Sequence, residues 1–171
     1  KDLIAQAIHN NSPRRNEAFV KIHCAGLEDF AMENAIFGSA ADGTLFLDEI
    51  GELGPTLQVQ LLSVLQKGRC LRSKDKRLVR VNVRVIAATR APLKTTTFRQ
   101  DLLDLFRPGL IEIPPLREHH EDIPLLVRHF LQEASRHSGT PAPEIARNAM
   151  DLLMRYLWPG NVRELKNTVE G

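Results

Sequence analysis

Three observations predict an α/β fold with a parallel sheet covered by helices, followed by a small all-helical lobe. Two runs, GTLFLDE at 43–49 and the stretch from Val83 to Ala88, are apolar nearly throughout, as strands buried on both faces are. Helical patterns separate the strand candidates, and that alternation is the mark of parallel pairing. After PPLRE at 114–118 no strand pattern recurs, and helices alone follow.

Each element can be argued in order. DLIAQAIH at 2–9 places Leu3, Ile4, Ala7 and Ile8 on one helical face, and Asn11, Ser12 and Pro13 stop it. FVKI at 19–22 reads as a short strand, and 27–36 as a helix carrying Leu27, Phe30, Met32 and Ile36. GTLFLDE is a buried strand ending in two acids. TLQVQLLSVLQKG at 56–68 is amphipathic, with Leu57, Leu61, Leu62, Val64 and Leu65 apolar and Gly68 as its stop. RLVRVNVRVIAAT at 77–89 contains the second long strand. Helices are expected at about 122–137, 145–157 and 161–170, joined at 139–143 and 158–160. The domain reading is an α/β subdomain over 1–118 and a helical lobe over 119–171.

Composition narrows the function classes. A chain of 171 residues with 43% hydrophobic and 26% charged residues can bury a core and is not a disordered type. No apolar run reaches the roughly 18–20 residues of a membrane span, and no signal peptide pattern precedes the first helix. No membrane association is expected. Cys24 and Cys70 make no disulfide framework, which points to a reducing cytoplasm. Cys24 reads as a buried structural thiol. The net charge is +2, from 23 basic and 21 acidic residues, small for a dedicated nucleic-acid-binding body. One basic cluster (Arg69, Arg72, Lys74, Lys76, Arg77 and Arg80) lies between two strand-like runs and reads as a solvated hairpin tip.

The chemistry sits at Asp48 and Glu49. Four apolar or small residues followed by two acids form a Walker B pattern. Such a strand delivers both carboxylates to the carboxyl edge of a parallel sheet, where ligands bind. The first acid would help hold Mg²⁺, and the second would orient and deprotonate the attacking water. Alone, the pattern also fits a surface strand ending in charges; the flanking GTLFLDEIGEL argues for the catalytic reading.

GTLFLDEIGEL, LQVQLLSVLQKG, VRVIAAT, FRQDL, IPPLREHHEDIPLL and WPGNVRELKN follow one another as in the central AAA+ domain of sigma-54-dependent transcriptional activators, the bacterial enhancer-binding proteins. The resemblance runs from Lys1 to Gly171. It implies ATP and Mg²⁺ as ligands and sigma-54 RNA polymerase as partner. By the same resemblance Lys1 matches the Walker A lysine on the β- and γ-phosphates, at the start of a helix whose N-terminus would face them. Asp48 matches the magnesium-binding acid and Glu49 the catalytic glutamate. Thr89 falls in the sensor I region, and Arg163 of GNVREL matches the sensor II arginine. Arg99 of FRQDL matches an arginine finger offered to the next subunit, which implies a ring, a hexamer in the family. Arg99 could otherwise be a surface pair with Asp101, and Arg163 an exposed helix charge.

The chain departs from the family in several places. The glycine-rich part of the phosphate loop is absent before Lys1. The polymerase-contacting GAFTGA loop is also absent, because FGS at 37–39 runs almost directly into ADGTLFLDE. Family members carry some twenty more residues there. Dropped segments are expected, with true deletion as the alternative: a chain break should lie between 38 and 41 and another between 93 and 98, whereas continuous backbone at both would mean that the loops are truly absent and that the remodelling expectation fails in favour of a nucleotide switch. His23 stands where the family has Asn, and either donates a hydrogen bond or simply packs. Arg90 replaces the sensor I asparagine, and Leu105 a second finger arginine.

The functional expectation is an ATPase that couples hydrolysis to remodelling of the sigma-54 RNA polymerase closed complex. DNA would be reached only through a missing C-terminal domain. The first rival is an ATP-binding oligomerisation switch of a transcription factor, without remodelling activity; the second is an AAA+ protein-remodelling chaperone, against which the GNVREL lid and PPLRE linker count.

Overall fold

The computed structural model describes residues 1–72, 77–90, 92–93, 98–141 and 143–170. They divide into two units, Lys1–Ile111 and Glu112–Gly171, so the boundary falls ahead of the expected 118/119. The reason is Leu116, which is buried in the second unit's core and whose N–H donates to Asn161 Oδ1 at 2.8 Å.

The first unit is built on a parallel sheet. Strands β1 (Phe19–His23), β2 (Thr44–Asp48) and β5 (Arg84–Ala88) lie in the order β1-β2-β5. Because β2 is central, Thr44, Leu45, Phe46 and Leu47 are almost wholly buried, which explains the unbroken apolar run. Helix α1 (Asp2–Asn10) precedes β1, and α2 (Asp29–Asn34) lies between β1 and β2. The expected helix over 27–36 shortens to α2 and then widens into a π-helical turn, Ala35–Ser39. Helix α3 (Pro55–Lys67) buries Leu57, Leu61 and Val64 against Ile36, Leu45 and Leu47. It ends at Gly68, whose φ of 58° is the left-handed conformation that glycine adopts most easily.

Between α3 and β5 the chain forms an antiparallel hairpin, β3 (Arg69–Arg72) with β4 (Arg77–Arg80). Arg69 faces Arg80 and Arg72 faces Arg77 in its register. Lys74 and Lys76 of the basic cluster lie outside the described residues. Helix α4 (Gln100–Phe106) closes the unit, with Leu102 fully buried.

The first expected break falls on the link into β2, where Ala40 N–H donates to Ala35 C=O at 2.8 Å, Ala41 to Gly38 at 3.2 Å, and Gly43 to Ala40 at 3.0 Å. Arg14 ties this link down, reaching Gly43 C=O at 2.9 Å and Asn82 Oδ1 at 2.6 Å, while Asn82 Nδ2 donates to Asp42 Oδ1 at 2.7 Å. The second expected break falls on 94–97, outside the described residues.

The second unit is all-helical: α5 (Ile123–Ser138), α6 (Arg147–Arg155) and α7 (Asn161–Glu170). Leu116, Ile123, Val127, Phe130, Trp158 and Leu165 form its core. Trp158 donates from Nε1 to Leu153 C=O at 2.8 Å. Trp158 and Asn161 both have positive φ, 49° and 54°, and this tight Trp-Pro-Gly-Asn turn sets the start of α7. Among the described residues no helix is long and apolar enough to cross a membrane.

Candidate functional site

Sheet register assembles the site. Pairing aligns His23 with Asp48 and Asp48 with Ala88 at the carboxyl edge. One residue further stand Cys24, Glu49 and Thr89. The Cys24 N–H donates to Asp48 C=O at 2.9 Å, so the ladder holds the edge firm up to the acids. Cys24 itself is buried, and burial, followed by the negative charges of Asp48 and Glu49, pushes its thiol up to about 12. It stays protonated at neutral pH and is no nucleophile.

Glu49 leaves the strand in the left-handed region, at φ 56° and ψ 54°. For a side-chain-bearing residue this costs about 1–3 kcal/mol, and such strain gathers where a group must be aimed. A 3₁₀ turn, Ile50–Glu52, follows directly. The carboxylate is shared between two cations: Oε1 lies 3.2 Å from Lys1 Nζ and 2.9 Å from Arg90 Nε, and Oε2 accepts the Arg90 backbone N–H at 3.0 Å. Partial burial is the largest single influence on its pKa and pushes upward. The Arg90 backbone hydrogen bond, the Lys1 hydrogen bond and both positive charges outweigh it, and the net shift is downward. Glu49 is therefore ionised at neutral pH and able to accept a proton.

Asp48 faces different partners. Its Oδ2 lies 3.6 Å from Lys21 Nζ and 3.8 Å from His23 Nδ1. Lys21 also pairs with Asp2, and that hydrogen bond is the main reason its pKa is raised. His23 is exposed at the edge, where it meets a carboxylate instead of packing. A carboxylate oxygen is the hard donor that Mg²⁺ takes, usually one or two per ion with phosphates and waters completing the shell. Among the described residues no group of three or more His, Cys, Asp or Glu could hold a metal alone. The donor set thus fits an ion shared with phosphate.

Thr89 abuts the turn after Glu49. A Cβ built on Gly51 would lie 3.6 Å from Thr89 Oγ1 and 3.3 Å from Leu93. Lys1, Asp48, Glu49 and Thr89 are thus gathered at one end of the sheet. Arg99 sits elsewhere in the first unit, at the N-cap of α4. Its guanidinium forms a two-pronged pair with Asp101, Nε to Oδ1 at 3.0 Å and Nη2 to Oδ2 at 2.6 Å. Arg163 belongs to the second unit, on α7, where it lines a shallow concavity of about 450 Å³ with Gly160, Glu164, Asn167 and Thr168.

Sequence reasoning missed two residues. Lys21 reads as the polar member of an apolar strand; its alternation onto the side of Asp48 is the available signal. Gln58 reads from the sequence simply as part of an amphipathic helix, although it is 1% exposed.

A parallel sheet with paired acids at its carboxyl edge, a lysine at the adjoining helix start and a helical lobe after the α/β unit is the AAA+ ATPase class of fold. Residues 1–111 match the model of the sigma-54 interaction domain, and residues 117–171 that of the AAA+ ATPase lid domain. The chain belongs to the sigma-54 interaction domain family. It is 42% identical to the Nif-specific regulatory protein of Azotobacter vinelandii, over 99% of this chain and 37% of that protein. To the transcriptional regulatory protein ZraR of Escherichia coli it is 40% identical, over 99% and 44%. It therefore spans less than half the length of these relatives. Each alignment runs over 192 positions against 171 residues here, so at least 21 positions (192 less 171) have no counterpart in this chain. The crystal structure of NtrX from Brucella abortus in complex with ATP superposes with a TM-score of 0.89 at 33% identity, covering 99% of this chain and 41% of that one. An Hsp104–ADP complex of Saccharomyces cerevisiae, at 13% identity and a TM-score of 0.61, shares the fold.

Proposed function

We propose that this domain hydrolyses ATP in a cytoplasmic bacterial transcription regulator and couples that hydrolysis to remodelling of the sigma-54 RNA polymerase closed complex. The observation that carries the ATPase reading is Glu49, ionised, strained into the left-handed region and aimed at the sheet edge. Glu49 takes a proton from the attacking water, a role that contributes ~10²–10⁴-fold in rate. Lys1 exchanges its contact with Glu49 for the β- and γ-phosphates, which frees the carboxylate as the nucleotide arrives. Asp48 holds Mg²⁺, which supplies charge neutralisation on the phosphates. Thr89 reports on the γ-phosphate, and Arg163 brings a lid-borne cation to it. Arg99 completes the site of the neighbouring subunit in a ring, a hexamer by family resemblance. DNA is reached through a domain outside this chain.

One observation favours a second reading. The closed, hydrogen-bonded turn at 38–43 occupies the place where the family carries its polymerase-contacting loop. A domain with that link would use ATP to switch its assembly and leave polymerase unmoved. The deciding experiment is promoter opening by sigma-54 RNA polymerase with the full-length protein. ATP-dependent opening, lost in Glu49→Gln, supports remodelling. Normal hydrolysis without opening supports the switch.

A further inference from the structure

We infer that Gln58 is a positioning residue that holds the arginine finger, Arg99, in register with the catalytic turn of its own subunit. The inference rests on the proposed role of Arg99 and deepens it. Gln58 lies on α3 and is 1% exposed. A buried carboxamide is costly unless both of its ends are paired. Here both are. Its Nε2 donates to Leu53 C=O at 2.7 Å, and its Oε1 accepts the Arg99 N–H at 2.8 Å.

The two partners belong to the segments that the proposed chemistry uses. Leu53 closes the 3₁₀ turn that begins at Glu49, through Glu52 N–H to Glu49 C=O at 2.9 Å and Leu53 N–H to Ile50 C=O at 3.1 Å. Arg99 caps α4. A planar amide fixes the spacing between its donor and acceptor. The path from the Glu49 carbonyl to the Arg99 backbone therefore runs through short hydrogen bonds, the Glu52–Leu53 backbone and one buried side chain. Asp101 completes the arrangement by gripping the guanidinium. Gln58 thus sets where the finger's backbone stands, and Asp101 sets where its head points.

The test uses the full-length protein at concentrations that assemble rings. Gln58→Leu keeps the bulk and removes both hydrogen bonds. Turnover per protomer is expected to fall by about 10²-fold, the scale of a misplaced reacting group, with the KM for ATP within about twofold. Subunit mixing then locates the defect. Mixed with Glu49→Gln, Gln58→Leu should recover activity, because some interfaces pair its intact glutamate with a well-held finger. Mixed with Arg99→Ala it should recover none, because every finger is displaced or absent. The reverse pattern, recovery with both partners, or recovery with neither would overturn the inference. Glu49→Gln mixed with Arg99→Ala is the control. If that pair fails to complement although mixed rings form, Arg99 does not act in trans and both readings fall. If it complements while the Gln58 pattern fails, only the role of Gln58 is lost.

Discussion

The two ends of strand β2 are built on opposite plans. At the carboxyl end, Glu49 sits in a strained conformation with its carboxylate divided between Lys1 and Arg90, and the Arg90 side chain is 75% exposed. Those cations are on flexible stems, and phosphate can compete for them. At the amino end, Gly43 lies against Ala18 so closely that a Cβ would meet its carbonyl oxygen at 2.2 Å. Backbone carbonyls and Arg14, Asn82 and Asp42 lock the link there. One strand thus joins a replaceable electrostatic arrangement to a fixed one. Changes at the first end should alter rate and leave the fold alone; changes at the second should alter the fold and leave rate alone.

The largest departure from that contrast should come from Arg99. In the full-length protein Arg99→Ala is expected to reduce hydrolysis by ~10³-fold or more, the value of a finger arginine, with nucleotide affinity nearly intact. Wild-type activity per protomer should rise with protein concentration as rings form. Concentration-independent activity would remove the subunit boundary from the mechanism.

Gly43→Ala probes the other end. The backbone has to move to admit the methyl group, at a cost of about 1–3 kcal/mol, and thermal melting should fall by several degrees. Turnover of the folded protein well below its melting temperature should be unchanged. A slowed enzyme with normal melting would reverse the contrast. Asn82→Ala removes exposed hydrogen bonds and should cost no more than about 0.5–1.5 kcal/mol by the same measurement, again without effect on rate.

The smallest effect is the pH dependence of stability without nucleotide or metal. The Glu49 pKa is lowered below its ordinary 4.5 in the folded state. Its contribution is therefore fully present above about 4.5 and is lost as pH falls through the folded value. Arg90→Ala should narrow the difference in urea stability between pH 7 and pH 3. The change should stay within about 1 kcal/mol, because water screens so exposed a guanidinium. A variant more stable than wild type at pH 7 would show that Arg90 is a burden to the apo site.

Much of this was legible in the sequence, for physical reasons. Central strands must be apolar on both faces, so 44–48 stood out, and two acids after such a run can only emerge at the sheet edge. Gly68 marked the end of α3 because few other residues accept its conformation. The π-turn at 35–39 was not legible, because it has no residue signature. The hairpin was legible from the basic cluster between two strand-like runs, but RLVRVNVRVIAAT does not reveal that the Arg77–Arg80 and Arg84–Ala88 strands belong to different sheets. Lys21 and Gln58 were missed because their importance lies in partners distant along the chain. The pairing of Glu49 with Arg90 needed the register of β2 on β5, which fixes which residues meet beyond the edge.

Parallel assays of ATP binding and steady-state ATP hydrolysis in full-length Glu49→Gln test the central claim most directly. The account predicts binding close to wild type and turnover reduced by ~10²–10⁴-fold, because the carboxamide keeps the shape of the side chain and cannot take the proton. Hydrolysis at the wild-type rate, with binding intact, would contradict it and move the chemistry away from the carboxyl edge of β2.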